Sequence, residues 1–353
     1  IGRYESSIPN ENLKWEVTTQ VNIGLDINFL KNFDLTLDFY DKKTSDVLLQ
    51  VPTPSLSGVK TYPWVNAADV DNKGYEANLN YRTTINDLSI NVYGNFSHVK
   101  NEVTSLGQEG VSAIYLNNYA GQNITRTAVG EPINHFYGYK TGGLFRTQQE
   151  IDSYVDTDGN KIQSDAQVGD MKFVDLNNDG QLNDKDKANL GDGFPDFSYG
   201  FGSELGYKGF DFSFFFQGTS GKEIFDATLY EGDFVNSKYN QFATILDRYN
   251  SNNTNGNVPR ATISDDNDNK RFSDYYVKNG DYLRLKNVII GYSLPKDILK
   301  KVYLDKLRLY VNLQNYLTFT DYKGFDPDII ESGVNVGQFP QPKTFLMGLN
   351  VNF

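Results

Sequence analysis

Val17-Thr-Thr-Gln-Val-Asn-Ile-Gly-Leu-Asp-Ile-Asn-Phe29, followed after Leu30-Lys31-Asn32 by Phe33-Asp-Leu-Thr-Leu-Asp-Phe-Tyr40, decides the fold class. Odd positions carry Val17, Val21, Ile23, Leu25, Ile27 and Phe29, whereas even positions carry Thr18, Gln20, Asn22, Gly24, Asp26 and Asn28. A period of two puts alternate side chains on opposite faces of a strand, so one face is apolar and the other polar. The same pattern resumes at Phe33, Leu35, Leu37 and Phe39, and the pair reads as a long hairpin with a tight turn.

Working outward, the alternation recurs at Tyr75, Ala77, Leu79 and Tyr81, and at Ile90, Val92 and Phe96. It returns at Phe197, Tyr199, Phe201, Leu205 and Tyr207, then across Lys208-Gly209 at Phe210, Phe212, Phe214 and Phe216. Leu307, Leu309, Val311 and Leu313 repeat it, and the chain closes on Phe345, Met347, Leu349, Val351 and Phe353. About nine strands are expected, several longer than the roughly five or six residues usual in soluble sheets. Short connections near 30–32, 86–87, 208–209 and 295–306 alternate with long polar ones at 47–70, 100–196, 218–280 and 321–343. Outer-membrane barrels show this asymmetry, with short turns on the periplasmic side and long loops outside. A secreted sandwich, propeller or solenoid would also alternate, but its strands would be shorter and its loops less one-sided.

Composition agrees with an all-β, membrane-spanning antiparallel barrel. The 353 residues include 24 Phe and 24 Tyr, yet only 39% are hydrophobic, because a barrel's second face is polar. Forty-five acidic against 33 basic residues give a net charge of −12, which argues against a nucleic-acid partner. No apolar run approaches the ~18 residues of a membrane helix. The absence of Cys removes disulfides, thiolate metal sites and cysteine nucleophiles. An odd number of strands cannot close as a bacterial barrel, so the chain is expected to supply part of one, starting in a surface loop. No signal peptide is visible in the opening IGRYESSIPN.

Longer matches carry a family likeness. Asn12-Leu-Lys-Trp-Glu16, Thr18-Thr-Gln-Val-Asn-Ile-Gly-Leu-Asp26, Asp38-Phe-Tyr-Asp-Lys-Lys-Thr-Ser-Asp46 and Asn72-Lys-Gly-Tyr-Glu76 form one group. Phe136-Tyr-Gly-Tyr139, Gly169-Asp170, Asp175-Leu-Asn-Asn-Asp-Gly180, Tyr207-Lys-Gly-Phe-Asp211 and Gln314-Asn-Tyr-Leu-Thr318 follow in order. In these segments the chain resembles the SusC/RagA family of TonB-dependent outer-membrane transporters. The resemblance implies the C-terminal part, about strands 14 to 22, of a 22-stranded barrel with long extracellular loops. It implies residues 1–353 as barrel, with 101–196 a long extracellular segment; the plug, TonB box and signal peptide are not in this sequence. It further implies uptake of oligosaccharides or peptides in a Bacteroidota-type outer membrane. The partners it implies are a SusD-like lipoprotein, the N-terminal barrel and plug portion, TonB and outer-membrane lipid.

One motif points to a metal. Asp175-Leu-Asn177-Asn-Asp179-Gly180-Gln181-Leu-Asn183-Asp184-Lys-Asp186 follows the EF-hand loop pattern. Ca²⁺ would take side-chain oxygens of Asp175, Asn177 and Asp179, the Gln181 carbonyl, and Asp186 at position 12, where a shorter Asp replaces Glu. An Asp/Asn/Gly turn without an ion fits the same letters. Asp265-Asp266-Asn267-Asp268 reads as a solvated turn. Loop aromatics Tyr62, Trp64, Tyr115 and Tyr119 are candidate substrate contacts, with loop-on-loop packing the alternative. Catalytic signatures are missing: two His and no Cys build no three-histidine or thiolate zinc centre, and Gly200-Phe-Gly-Ser-Glu-Leu-Gly206 lacks the spacing of a dinucleotide or nucleophile motif. The expectation is therefore no enzyme. A secreted calcium-binding, carbohydrate-active β-protein is the alternative from another class.

Overall fold

The computed structural model describes residues 8–51, 58, 61–107, 111–237, 239–329 and 333–353. The opening residues Ile1–Ser7, read from sequence as part of a surface loop, lie outside the described residues. Nine long strands form one antiparallel sheet in strict sequence order. They are β1 Val17–Phe29, β2 Phe33–Gln50, β3 Trp64–Ile85, β4 Leu88–Leu106, β5 Phe197–Tyr207, β6 Phe210–Ser220, β7 Tyr282–Ser293, β8 Lys306–Phe319 and β9 Thr344–Asn352. The hairpin that opens the argument pairs Val17 with Ser45 through Phe29 with Phe33. At the β5–β6 corner Lys208 and Gly209 both adopt positive φ, 46° and 90°, the geometry of the two-residue turn that matches strand twist. Between β7 and β8 the short connection carries a helical turn, α1 Lys296–Leu299.

Register places the apolar residues side by side. Ile23, Phe39, Tyr75, His98 and Phe197 form one row across five strands. Their rings touch in series, Phe39 to Tyr75 at 6.2 Å, Tyr75 to His98 at 5.1 Å and His98 to Phe197 at 4.8 Å. A second aromatic set stands at the short-turn end, with Phe33 stacked 5.0 Å from Phe29 and 4.5 Å from Tyr81, and Phe210 4.5 Å from Tyr292. From Phe33 to Phe39 the strand rises about 20 Å at roughly 3.4 Å per residue. Two residues above the upper row, on the same face, Asp41, Lys73 and Lys100 stand in register. An apolar band bordered by aromatic rows and then by charge is the pattern of a lipid-facing wall. Its side chains are uncovered: Ile23 is 69% exposed and Met347 75%.

The other face is polar and pairs across strands. Thr36 Oγ1 donates to Asp26 at 2.7 Å, Asn91 donates to Glu204 at 3.2 Å, and Arg308 Nε donates to Asp211 at 2.8 Å. The glycines of β5 make room here. A Cβ on Gly200 would lie 2.8 Å from the Phe215 ring, and one on Gly202 2.9 Å from the Tyr93 ring. Those two rings stack on each other at 6.1 Å across the strand.

Two expectations need correction. The segment 47–70 is not one long loop: β2 continues to Gln50 and β3 begins at Trp64, so only 51–63 connect them. Likewise β4 runs to Leu106, so the long connection expected over 100–196 starts only beyond it. The pattern fades because Asp41-Lys-Lys-Thr-Ser-Asp46 is polar on both faces. A shift of register between Thr44 and Val47, with Asp46 at φ 59°, then exchanges the faces. Past the aromatic row the strands form a ribbon with its own small core of Ala68, Val70 and Val103.

Candidate functional site

The remaining long connections, 107–196, 221–281 and 320–343, gather at one end of the sheet and fold together as a cap. Phe136, Tyr139 and Phe173 from the first, Phe225, Tyr230, Phe234, Phe272 and Tyr276 from the second and Val334 from the third share one hydrophobic cluster. Phe136, Phe173, Phe225 and Tyr276 are completely buried. Small ladders support it, including Lys187–Asn189, His135–Tyr139, Thr125–Ala128 and Ala113–Tyr115 in one sheet. Main-chain bonds between Val103 and both Glu131 and Gly130, each 2.9 Å, fasten this cap to the top of β4.

A buried polar knot ties the first loop to the second. Asp170, fully buried, receives Arg260 Nε at 2.7 Å, Asn269 Nδ2 at 3.1 Å and the Gln167 amide at 2.8 Å. Asn269 also accepts the Met171 amide at 2.7 Å, and Asn267 donates to the Met171 carbonyl at 3.0 Å. Gln163 bridges the Met171 carbonyl, the Phe173 amide and Asn267. The stretch 265–268 is thus not a solvated turn throughout: Asn267 is buried, and Asp265 accepts the main-chain amides of Asn269 and Lys270. Letters typical of a surface tip hid a buried network, because sequence does not show what a loop meets.

Where the cap meets the wall, charge is concentrated. Arg284 on the polar face of β7 pairs with Asp326 and, at 3.4 Å, with Asp328 of the third loop. Beside it Lys222 is buried, and burial pulls its ammonium below the usual range despite Asp328, Asp326 and Asp281 nearby. Burial pushes the Asp192 and Glu223 carboxyls up, and Asp281 and Asp192 add to the effect on Glu223. Burial also raises Asp233, although Thr244 and Tyr275, the latter at 2.9 Å, donate to it.

The candidate aromatics separate. Tyr62 and Trp64 are half-exposed at the tip of the β2–β3 ribbon, where Trp64 is the first residue of β3 rather than a loop residue. Tyr119 belongs to the cap interior, edge-on to Phe225 at 5.4 Å and Tyr230 at 5.3 Å. Its hydroxyl donates to Glu231, and burial with that carboxylate pushes it up to about 12. Tyr115 lies on the opposite side of the small sheet, 6.4 Å from the Tyr137 ring. The four candidates form no single cluster.

The 175–186 loop has the turn that an EF-hand order requires, with Gly180 at φ 80°. Its carboxylates face main-chain amides. Asp175 accepts from Asp179 at 3.2 Å and Gly180 at 2.8 Å, and Asp179 accepts from Gln181 at 3.0 Å. Asp186, fully buried, accepts from Leu176 at 3.0 Å and Asn183 at 2.8 Å. Among the described residues no three His, Cys, Asp or Glu side chains converge on a point that could hold a metal. The donor chemistry suits Ca²⁺, and in this structure the carboxylates are taken up by main-chain amides instead.

This architecture, an antiparallel wall with an apolar band and loops folded into a cap at one end, has counterparts among known proteins. The family described as TonB dependent receptor-like, beta-barrel, matches residues 2–316. The chain belongs to the TonB-dependent receptor β-barrel family. It is 36% identical over 361 residues to TonB-dependent receptor P3 of Formosa agariphila, covering 98% of this chain and 35% of that protein. It is 31% identical to TonB-dependent receptor SusC of Bacteroides thetaiotaomicron, covering 99% of this chain and 33% of SusC. Among solved structures the RagAB peptide transporter superposes with a TM-score of 0.77 at 25% identity, covering 98% of this chain and 36% of that one. The chain therefore spans about a third of the length of the curated relatives it matches. Membership implies an outer-membrane location for this receptor barrel, and the relatives named are receptors and a transporter rather than enzymes.

Proposed function

We propose that this chain supplies wall and extracellular cap to a SusC-type importer that takes up oligosaccharides or peptides through the outer membrane. Energy would arrive from TonB through a plug, and a SusD-like lipoprotein would seat on the cap. The observation that carries this reading is the pairing of an uncovered apolar band with a cap whose core is built from three separate loops. A secreted β-protein would have to bury such a band, since exposed apolar patches of that extent mark membrane or protein contact. The test is to isolate the unboiled complex from native outer membrane, identify its polypeptides and retained ligand by mass spectrometry, and measure uptake with and without TonB. A lipoprotein, a plug-bearing partner segment and TonB-dependent uptake are expected. A species that stays soluble and monomeric in plain buffer would contradict the proposal, because the unpaired edges of β1 and β9 invite association.

Calcium at 175–186 is a second proposal, supported by the order of oxygen side chains and by Gly180. Asp175, Asp179 and Asp186 would have to exchange amide bonds for the ion, so affinity in the weak range of extracellular modules, about 10⁻⁴ to 10⁻³ M, is expected. Equal calcium content in the parent and Asp175→Ala proteins, by elemental analysis, would remove the site.

A further inference from the structure

Arginines in the cap are matched to acceptors, with one exception. Arg260 meets Asp170, Arg271 meets Asp268, and Arg146 donates to the carbonyls of Thr254 and Gly256. The side chain of Arg126, half-buried in the Thr125–Ala128 strand, makes no ion pair and no hydrogen bond among the described residues, and its Nε is fully buried without a partner. A buried donor left unmade is expensive, so an orphan in a folded protein asks for an explanation.

The surroundings hold the guanidinium in place without satisfying it. Its plane lies on the Tyr137 ring, with Cζ 3.6 Å from the centroid. Such stacking fixes the fork while leaving its edge free to donate. Tyr115 and His135 flank Arg126 in register on the two neighbouring strands. His135 is fully buried, burial holds it neutral, and its Nδ1 donates to the Pro132 carbonyl at 2.8 Å. Its Nε2 therefore carries a lone pair, also without a partner. Nearby carboxylates are already engaged: Asp184 with Lys187 at 2.7 Å, and Glu131 with Asn189 at 2.6 Å. In a chain of net charge −12 this is a fixed cation with no ion pair among the described residues, framed by two tyrosines.

Resting on the import reading above, we propose that Arg126, stacked on Tyr137 and bordered by Tyr115, is a subsite for a carboxylate of the imported ligand. Because Nε is buried, the two terminal Nη groups donate the two parallel N–H bonds to the carboxylate, a geometry specific to planar anions. The Tyr115 ring covers the atoms next to it. The carboxylate is the shared chemistry of a peptide C-terminus and of a uronic acid, and the assay separates the two.

The assembled transporter in detergent is titrated calorimetrically with four probes: an N-acetylated oligoalanine with a free C-terminal carboxylate, the same peptide amidated, an oligogalacturonate, and its methyl ester. The parent protein is expected to prefer the acid over its neutral counterpart in one pair, which names the source. The preference should be roughly tenfold or more, as for loss of charge-assisted hydrogen bonds. Arg126→Gln should abolish that ratio, with the acid falling to the affinity of its neutral counterpart. Arg126→Lys, which keeps charge but not the fork, should lose most of the ratio, and Tyr137→Leu provides a second variant that removes only the support. An unchanged acid-to-neutral ratio in Arg126→Gln, or no preference in the parent, overturns the subsite while the import reading stands. If none of the four probes binds the parent, the subsite is overturned, and the import reading is decided separately by TonB-dependent uptake.

Discussion

The wall and the cap solve opposite problems with the same amino acids. In the wall, Ile23, Phe39, Phe210 and Met347 are turned outward on strands whose other face is polar, and among the described residues the sheet packs no core against its apolar side. In the cap, Phe136, Phe225 and Tyr276 are fully enclosed by residues far apart in sequence. An apolar side chain in the cap is stabilised by leaving water, whereas one in the wall is stabilised only if lipid replaces water. The two regions should therefore respond differently to the same substitution and the same solvent.

The sharpest separation comes from Asp170→Ala. Removing it strands Arg260 and Asn269 in a buried knot, and loss of one partner of a buried charge pair costs about 3–5 kcal/mol. Hydrogen exchange should rise throughout 163–173 and 260–276, while the wall keeps its heat-modifiable migration on gels. Equal loss in both regions would mean that they do not fold as separable units. Phe136→Ala should cost the cap about 3–5 kcal/mol, whereas Phe39→Ala, half-exposed on the wall, should cost well under half of that. Calorimetry of the two variants in detergent would reveal the contrast.

Leu37→Arg tests the other side. Leu37 lies between Leu25 and Ala77 within the apolar band, and a charge at the bilayer midplane costs about 2–4 kcal/mol. Urea titration in lipid vesicles should show that loss, and a loss near zero would place the band outside the hydrocarbon. A smaller effect concerns pH. Asp192, Glu223 and Asp233 have folded-state pKa values above their unfolded ones, so the folded cap binds protons first as pH falls. Stability should then rise on acidification through those raised values, reaching its full gain in the ordinary carboxylate range. Asp233→Asn should remove part of that gain in near-UV melting curves recorded at pH 5 and pH 7. Smallest of all, Asp175→Ala should loosen exchange within 175–186 and leave both wall and cap melting within about 0.5 kcal/mol of the parent, as for surface changes.

The wall was legible in sequence because its apolar and polar rows alternate over Val17 to Phe29, Phe33 to Phe39, Phe197 to Tyr207 and Phe210 to Phe216, with Thr19 and Ser203 the breaks in the apolar rows. Legibility ended where the physics changed. Above the aromatic row Asp41 to Asp46 meets water on both sides, and the alternation carries no signal although the strands continue. The cap was illegible for another reason. Asn267, Asn269 and Gln163 are residues of ordinary surface loops, and only the meeting of segments about a hundred residues apart buries them. Tyr119 and Tyr115 looked alike in sequence, yet one is packing and the other borders an unpaired cation. Of the metal loop, the turn was legible and the direction of its carboxylates was not.

The most direct test of the contrast uses the absence of Cys from these 353 residues, which lets single cysteines be placed and labelled on this chain without background from it. Nitroxides placed one at a time from Phe33 to Lys43 on β2, with the protein in lipid vesicles, are probed with dissolved oxygen and with a water-soluble nickel chelate. Oxygen access should peak at Phe33, Leu35, Leu37 and Phe39 with a period of two, and chelate access should take over at Asp41 and Lys43. Uniform chelate access along the whole strand would contradict a lipid-facing wall.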